Sequence, residues 1–268
     1  AYDFDGKEVW TKRPGGFVSV HGFCSSPVLF EDLVIINGDH DGDSYLAALK
    51  KSTGEPVWKV PREHKTRSYV TPIIREIGGR TQMILSGSKC VASYDPRTGE
   101  RHWLIDGPTE QFVASMVYNG DLLFMTGGFP ERHFLAIDPS GSGNVTDTHI
   151  RWRTTKSAGY VPSPISVGDY FLAVSDAGIG SCFDAATGKP QWFDRLGTHF
   201  SASAISAGGL AYFLADKVTM TVIRPGEKLD IVAENELGEH CFASPAVSQG
   251  QIFIRGEKNL YCIGEIEK

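Results

Sequence analysis

The sequence predicts an all-β chain made of about six four-stranded sheets, on three observations. A short phrase recurs at long intervals: a small residue, Asp or a stand-in two positions on, then Thr-Gly, then Trp. A second marker, a small residue often followed by Pro, recurs upstream of it before an alternating apolar run. No helical periodicity of useful length appears anywhere in the 268 residues.

The phrase reads Ala48, Thr53, Gly54, Trp58 in one copy, Ser93, Asp95, Thr98, Gly99, Trp103 in the next, and Cys182, Asp184, Thr187, Gly188, Trp192 in another. A worn copy opens the chain (Ala1, Asp3, Asp5, Gly6, Trp10), and one split by an insertion runs from Ala136 and Asp138 to Trp152. The second markers are Ser26, Thr71, Ser115, Ser163, Ser203 and Ser244, separated by 45, 44, 48, 40 and 41 residues. That is the length of a four-stranded blade of a β-propeller. The repeats fall at about 24–60, 68–105, 113–155, 160–195, 200–237 and 242–268, the last completed by 1–12 to close a ring and hide its exposed edges, within one domain over 1–268.

The first full blade shows why each element forms. Residues 25–30 make an inner strand, and Glu31-Asp32 turns the chain. Residues 33–37, β-branched and apolar, make the second strand, and a polar loop leads to a third at 45–49. The turn at 52–55 carries Gly54, free to take a positive φ. Residues 56–60 form the outer strand, where an edge tolerates Pro56. Trp10, Trp58, Trp103, Trp152 and Trp192 have a structural role in this scheme, filling the wedge between splayed neighbouring sheets. An indole buries on the order of 150–250 Å², at most about 4–6 kcal/mol of apolar transfer. The copy between Phe200 and Leu237 lacks the Trp, Val232 falls near its place, and that blade is expected to be looser.

Composition excludes several classes. With 41% apolar residues the chain can bury a real core, yet no run approaches a membrane span. The formal charge is −6, and Lys and Arg are nowhere concentrated, which argues against a nucleic-acid partner. The five cysteines (Cys24, Cys90, Cys182, Cys241, Cys262) form no Cys-x-x-Cys and read as small core residues. Gly178-Ile179-Gly180 precedes no helix and is no phosphate loop. Asn144-Val145-Thr146 is a glycosylation triplet only in a eukaryotic secretory context.

The phrase Ala-x-Asp-x-x-Thr-Gly-x-x-x-Trp resembles the tryptophan-docking motif of the quinoprotein-type (PQQ-like) propeller repeat family, over essentially the whole chain. The wording at 146–149, 200–203 and 260–264 looks most like exported, planctomycete-type bacterial proteins, and related propellers serve as outer-membrane assembly factors. The resemblance implies a periplasmic or otherwise exported location. It also implies that this chain is the larger part of an eight-bladed ring, a self-contained six-bladed ring being the alternative. Fold is specified far better than activity. Family dehydrogenases carry a vicinal Cys-Cys pair, a calcium site and a catalytic Asp. No adjacent cysteines occur here, and the other groups find no matching positions.

Two clusters are candidate sites. Four residues before each second marker, on the face around the channel mouth, stand Gly22 (beside His21), Arg67, Gln111, Gly159 (beside Tyr160), His199 and His240. Phe23, Phe112, Tyr160 and Phe200 lie just inside them, so His21, Arg67, Gln111, Tyr160, His199 and His240 are expected to line a pocket for a ligand or partner. The plainer reading is a solvated rim over core aromatics. The loop at 127–133 should lie on the same face. Asp39, Asp41 and Asp43 alternate around Gly42 like half of a calcium loop, but Lys50 stands where an EF-hand needs Glu. A weaker oxygen site sharing the face with His21 remains open, as does an acidic solvated turn.

The expected function is a non-catalytic exported scaffold that binds a protein or glycan partner at the channel mouth, with no cofactor and no catalytic residues. A PQQ- and calcium-dependent alcohol or sugar dehydrogenase is the first alternative. A polysaccharide-acting hydrolase or lyase is the second.

Overall fold

The computed structural model describes residues 1–264. The first sheet holds β1–β4 (Val28–Phe30, Leu33–Gly38, Tyr45–Lys50, Pro56–Pro61), and the second holds β5–β8 (Ile73–Ile77, Arg80–Gly87, Cys90–Tyr94, Arg101–Asp106). The third is β9, β10, β11 and β13 (Val117–Tyr118, Leu123–Gly127, His133–Ile137, Ile150–Thr154), with β12 (Gly143–Asn144) looped out of it. The fourth is β14–β17 (Ile165–Val167, Tyr170–Val174, Ile179–Asp184, Pro190–Arg195) and the fifth β18–β21 (Ile205–Ala207, Leu210–Leu214, Thr219–Arg224, Asp230–Glu236). The sixth, among the described residues, has three strands, β22–β24 (Ala246–Ser248, Gln251–Arg255, Leu260–Ile263). The described residues are all-β, each sheet built on an antiparallel meander, as the period predicts. In the first sheet the strands end within a residue of expectation, but β1 starts at Val28, because Pro27 before it has no N–H to offer a ladder.

Two compact units result: Ala1–Ser115 with Pro139–His149, and Met116–Asp138 with Ile150–Lys268. In the first, Leu33, Ile35, Leu46 and Ala48 pack against Met83, Leu85, Cys90 and Ala92, so one cluster lies between the first two sheets. In the second, successive clusters join the third sheet to the fourth, the fourth to the fifth and the fifth to the sixth.

The recurring phrase has a geometric reading. Its small residue lies opposite the Trp on the paired strand: Ala48 with Trp58, Ser93 with Trp103, Ala136 with Trp152, Cys182 with Trp192. A register shift follows that small residue each time, so the bulge repeats with the motif. Its Gly lies under an indole from the preceding copy. A Cβ on Gly54, Gly99 or Gly188 would come within 2.5, 2.8 and 2.5 Å of the Trp10, Trp58 and Trp152 rings, and all three glycines have φ near +70°. The ring N–H of Trp10, Trp58, Trp152 and Trp192 donates to the carbonyls of Lys51, Pro96, Ala185 and Gly226. The Asp and Thr close the turn: Asp184 accepts from the Thr187 N–H and Thr187 Oγ1 from the Lys189 N–H.

Three details depart from the sequence reading. Trp103, fully buried, donates instead to Gln82 Oε1 of its own sheet, because the insertion at 139–149 covers it: β12 adds to β8 in parallel, Gly143 beside Trp103. In the fifth sheet the Trp register belongs to Ala233, not Val232: Val222 pairs with Ala233, and the longer loop before β21 shifts the count. Only Cys90, Cys182 and Cys241 are buried; Cys24 lies in an exposed loop and Cys262 on an uncovered face of β24. Within residues 1–12, a local bridge joins Tyr2 and Glu8, and Trp10 lies over Gly54 of the first sheet.

The second markers act as clasps between sheets. The Ser26 N–H donates to Thr71 Oγ1 (3.0 Å), that of Ser163 to Ser203 Oγ (3.0 Å), and that of Ser203 to Ser244 Oγ (2.9 Å). The spacing of the repeat is thus also the span of a hydrogen bond.

Candidate functional site

In the first unit, His21, Arg67, Gln111 and the loop at 39–43 do come to one end. Segment 17–24 lies against that loop: the Asp41 N–H donates to the Val18 carbonyl, and the Phe17 and His40 rings are 5.4 Å apart. His21 is exposed, 6.1 Å from the Tyr69 ring, and the Tyr69 N–H donates to the carbonyl of Phe112, next to half-buried Gln111. Val18, Val20 and Phe23 are exposed beside it.

The three alternate carboxylates do not converge. Asp39 is buried and paired to buried Arg62 (Nε to Oδ1, 2.8 Å), with Ser68 Oγ donating to its other oxygen at 2.7 Å. Arg62 also donates to the Tyr94 hydroxyl (2.6 Å) and the Gly87 carbonyl (3.0 Å). Burial opposes the Arg62 charge most strongly, but Asp39 together with Cys90 and Tyr94 outweighs it and holds the guanidinium well above its ordinary pKa. Asp41 pairs with Arg67 (2.5 Å) and Asp43 with Lys65 (2.6 Å). Each carboxylate has its own cation, and among the described residues no three His, Cys, Asp or Glu side chains gather to hold a metal. This donor set does not fit a calcium ion. Burial raises the Cys182 thiol to about 12 and also raises Cys90, so neither offers a thiolate near neutrality.

In the second unit, Tyr160, His199 and His240 also come to one end, held by two carboxylates that sequence reasoning passed over. Asp176, in the turn between β15 and β16, accepts from the Tyr160 N–H (2.8 Å) and the Val161 N–H (3.0 Å), and pairs with Arg132 at 3.3 Å. Asp216, in the turn between β19 and β20, accepts from the Ser201 N–H (2.7 Å) and hydroxyl (2.9 Å), and lies 2.6 Å from His199 Nδ1. His240 Nδ1 meets the Asp216 carbonyl at 3.1 Å, and its ring stacks on Phe242. Ser201 and His199 both approach the carboxylate itself, so the order Ser–His–Asp of a nucleophilic triad is absent. In the sixth sheet the direction reverses: Glu239, in the loop before β22, holds the β23–β24 turn by accepting from Lys258 N–H, Asn259 and the Tyr261 hydroxyl. The Tyr261 and Asn259 hydrogen bonds depress its pKa to about 2. The signal that could have found Asp176 and Asp216 is an Asp in the turn after the second strand, shared with Asp39 of the first sheet.

On these braced loops Phe129 (55% exposed), Val161 (38%) and Phe242 (51%) face outward. A shallow cleft beside Phe129 is lined by Pro130, Glu131, Arg132, Thr155, Ser157 and Ala158.

Relatives share this repeated four-stranded pattern. The model of the family described as "Outer membrane protein assembly factor BamB" matches residues 1–193 and again 109–268. The chain belongs to this family. Among solved structures, BamB from Moraxella catarrhalis is similar with a TM-score of 0.67 and 12% identity, over 88% of this chain and 70% of that one. At that identity the likeness speaks for the propeller fold alone. A search of curated proteins finds no significant match. No helix among the described residues is long and apolar enough to cross a membrane.

Proposed function

We propose that the chain is a non-catalytic, exported scaffold that binds a protein partner through the loop ends of its second unit. One observation carries this reading: Phe129, Val161 and Phe242 are presented to solvent at loop ends braced around two turns, where Asp176 accepts from the Val161 N–H and pairs with Arg132, and the Asp216 carbonyl accepts from the Cys241 N–H. Exposed aromatics on preorganised backbone lose little entropy on binding and are the usual anchors of protein interfaces. Arg132 and His199 beside them add polar specificity at the rim. Membership of a family named for an outer-membrane assembly factor supports the same role and an envelope location.

The test is paired affinity capture from a cell-envelope extract with the wild-type chain and a Phe129→Ser, Phe242→Ser double variant of matched melting temperature. A protein retained by the first and lost by the second supports the proposal. Failure to find any such protein, or saturable binding of pyrroloquinoline quinone with calcium and dye-linked alcohol oxidation, overturns it.

A further inference from the structure

We propose that the space between the fifth and sixth sheets is a binding site for a planar aromatic ring of indole size. A cavity of about 220 Å³ lies there, lined mainly by apolar side chains: Tyr212, Met220 and Val222 from the fifth sheet, Ile252, Ile254 and Ile263 from the sixth. Register identifies what is missing from it. Val222 pairs with Ala233 as Ala48 pairs with Trp58, and Met220 pairs with Asn235 as Leu46 pairs with Val60. On the neighbouring sheet, Val247 pairs with Ile252 as Ile74 pairs with Met83. Between the first two sheets, Trp58 and Val60 pack against the cluster of Leu46, Ala48, Met83 and Leu85. The residues matching those four, Met220, Val222, Ile252 and Ile254, all line the cavity.

The large and small partners are exchanged in the fifth sheet. Four copies place Trp opposite a small residue, whereas this one places Ala opposite Val. One methyl replaces an indole and Val222 fills only part of the difference. An apolar cavity of about 150 Å³ in a protein interior is already large enough to take up benzene. The occupant is specified by the chain itself, which fills the equivalent wedges with the indoles of Trp58, Trp152 and Trp192. Asn235 and Glu236 at the opening provide polar acceptors for a ring N–H.

The experiment titrates the intact chain with indole by calorimetry, and with 5-fluoroindole by fluorine NMR. Ala233→Trp fills the cavity from within. The proposal expects saturable uptake of a single equivalent by the wild-type chain, a melting temperature that rises with indole concentration, and loss of both in Ala233→Trp. If that variant does not fold, Val222→Phe fills the same space from the facing strand and must also abolish uptake. No saturation up to the solubility limit of indole, or undiminished uptake by a folded filled variant, overturns the proposal.

Discussion

The interface between the first and second sheets and that between the fifth and sixth are built on one plan and finished differently. In the first, Trp58 lies over Gly99, its N–H satisfied by the Pro96 carbonyl, and Ala48 beneath it is fully buried. In the other, Ala233 stands at the same register and a cavity remains, while β21 and β22 are largely exposed. One side chain separates a filled wedge from an open one. The sheets themselves do not need the indole, since the fifth keeps its four strands and its bulge without it. Strand pairing specifies the blade, and the wedge residue governs how blade meets blade.

Substitutions can break or sharpen this contrast. Trp58→Ala turns the filled interface into a copy of the open one, and should cost about 3–5 kcal/mol through cavity formation, read from the urea midpoint. An unchanged midpoint would remove the wedge role. Gly99→Ala attacks the same contact from below, adding a Cβ 2.8 Å from the ring at φ +75°, with an expected loss of about 1–3 kcal/mol by thermal melting. The corresponding change at Gly208, a positive-φ turn glycine with open space around it, should cost less, because only the backbone term remains. Ser203→Ala withdraws the acceptor for the Ser163 N–H and should destabilise by about 1 kcal/mol. Its mark is faster amide exchange at Ser163; an unaltered exchange rate would mean that the clasp is not formed in solution.

The smallest effect is one of pH. Glu239 has a folded pKa of about 2, below the ordinary glutamate value of about 4.3. A depressed carboxylate stabilises the folded state above its unfolded pKa, and that contribution is lost as pH falls from the ordinary value toward 2. The wild-type melting temperature should therefore fall more steeply over that window than that of Glu239→Gln. Parallel curves would show that Lys258, Asn259 and Tyr261 do not hold the carboxylate in solution.

What the sequence disclosed and what it withheld divide along a physical line. The spacing of Ala48, Gly54 and Trp58 was readable because steric contacts demand particular sizes at particular offsets. Strand limits followed from alternation and turn residues for the same reason. The position of Ala233 was off by one, since a bulge and an altered loop break the count from turn to strand. The destination of 139–149 was hidden because a two-residue strand has almost no pattern of its own. Asp39, Asp41 and Asp43 suggested a common ion, yet their partners Arg62, Arg67 and Lys65 lie on the following segment, and only geometry pairs them one to one. Asp176 and Asp216 look like ordinary turn acids until the backbone of the neighbouring loop is seen to point at them.

The loan of β12 from the third meander to the second has a consequence for biosynthesis. Asn144 hydrogen-bonds Asp106 across 38 residues, and Gly143 flanks Trp103. A polypeptide emerging from its amino terminus therefore exposes β8 unsealed until that later stretch has followed. The outer edge of the second meander is covered only when part of its successor has been made, which ties two otherwise modular steps of assembly together.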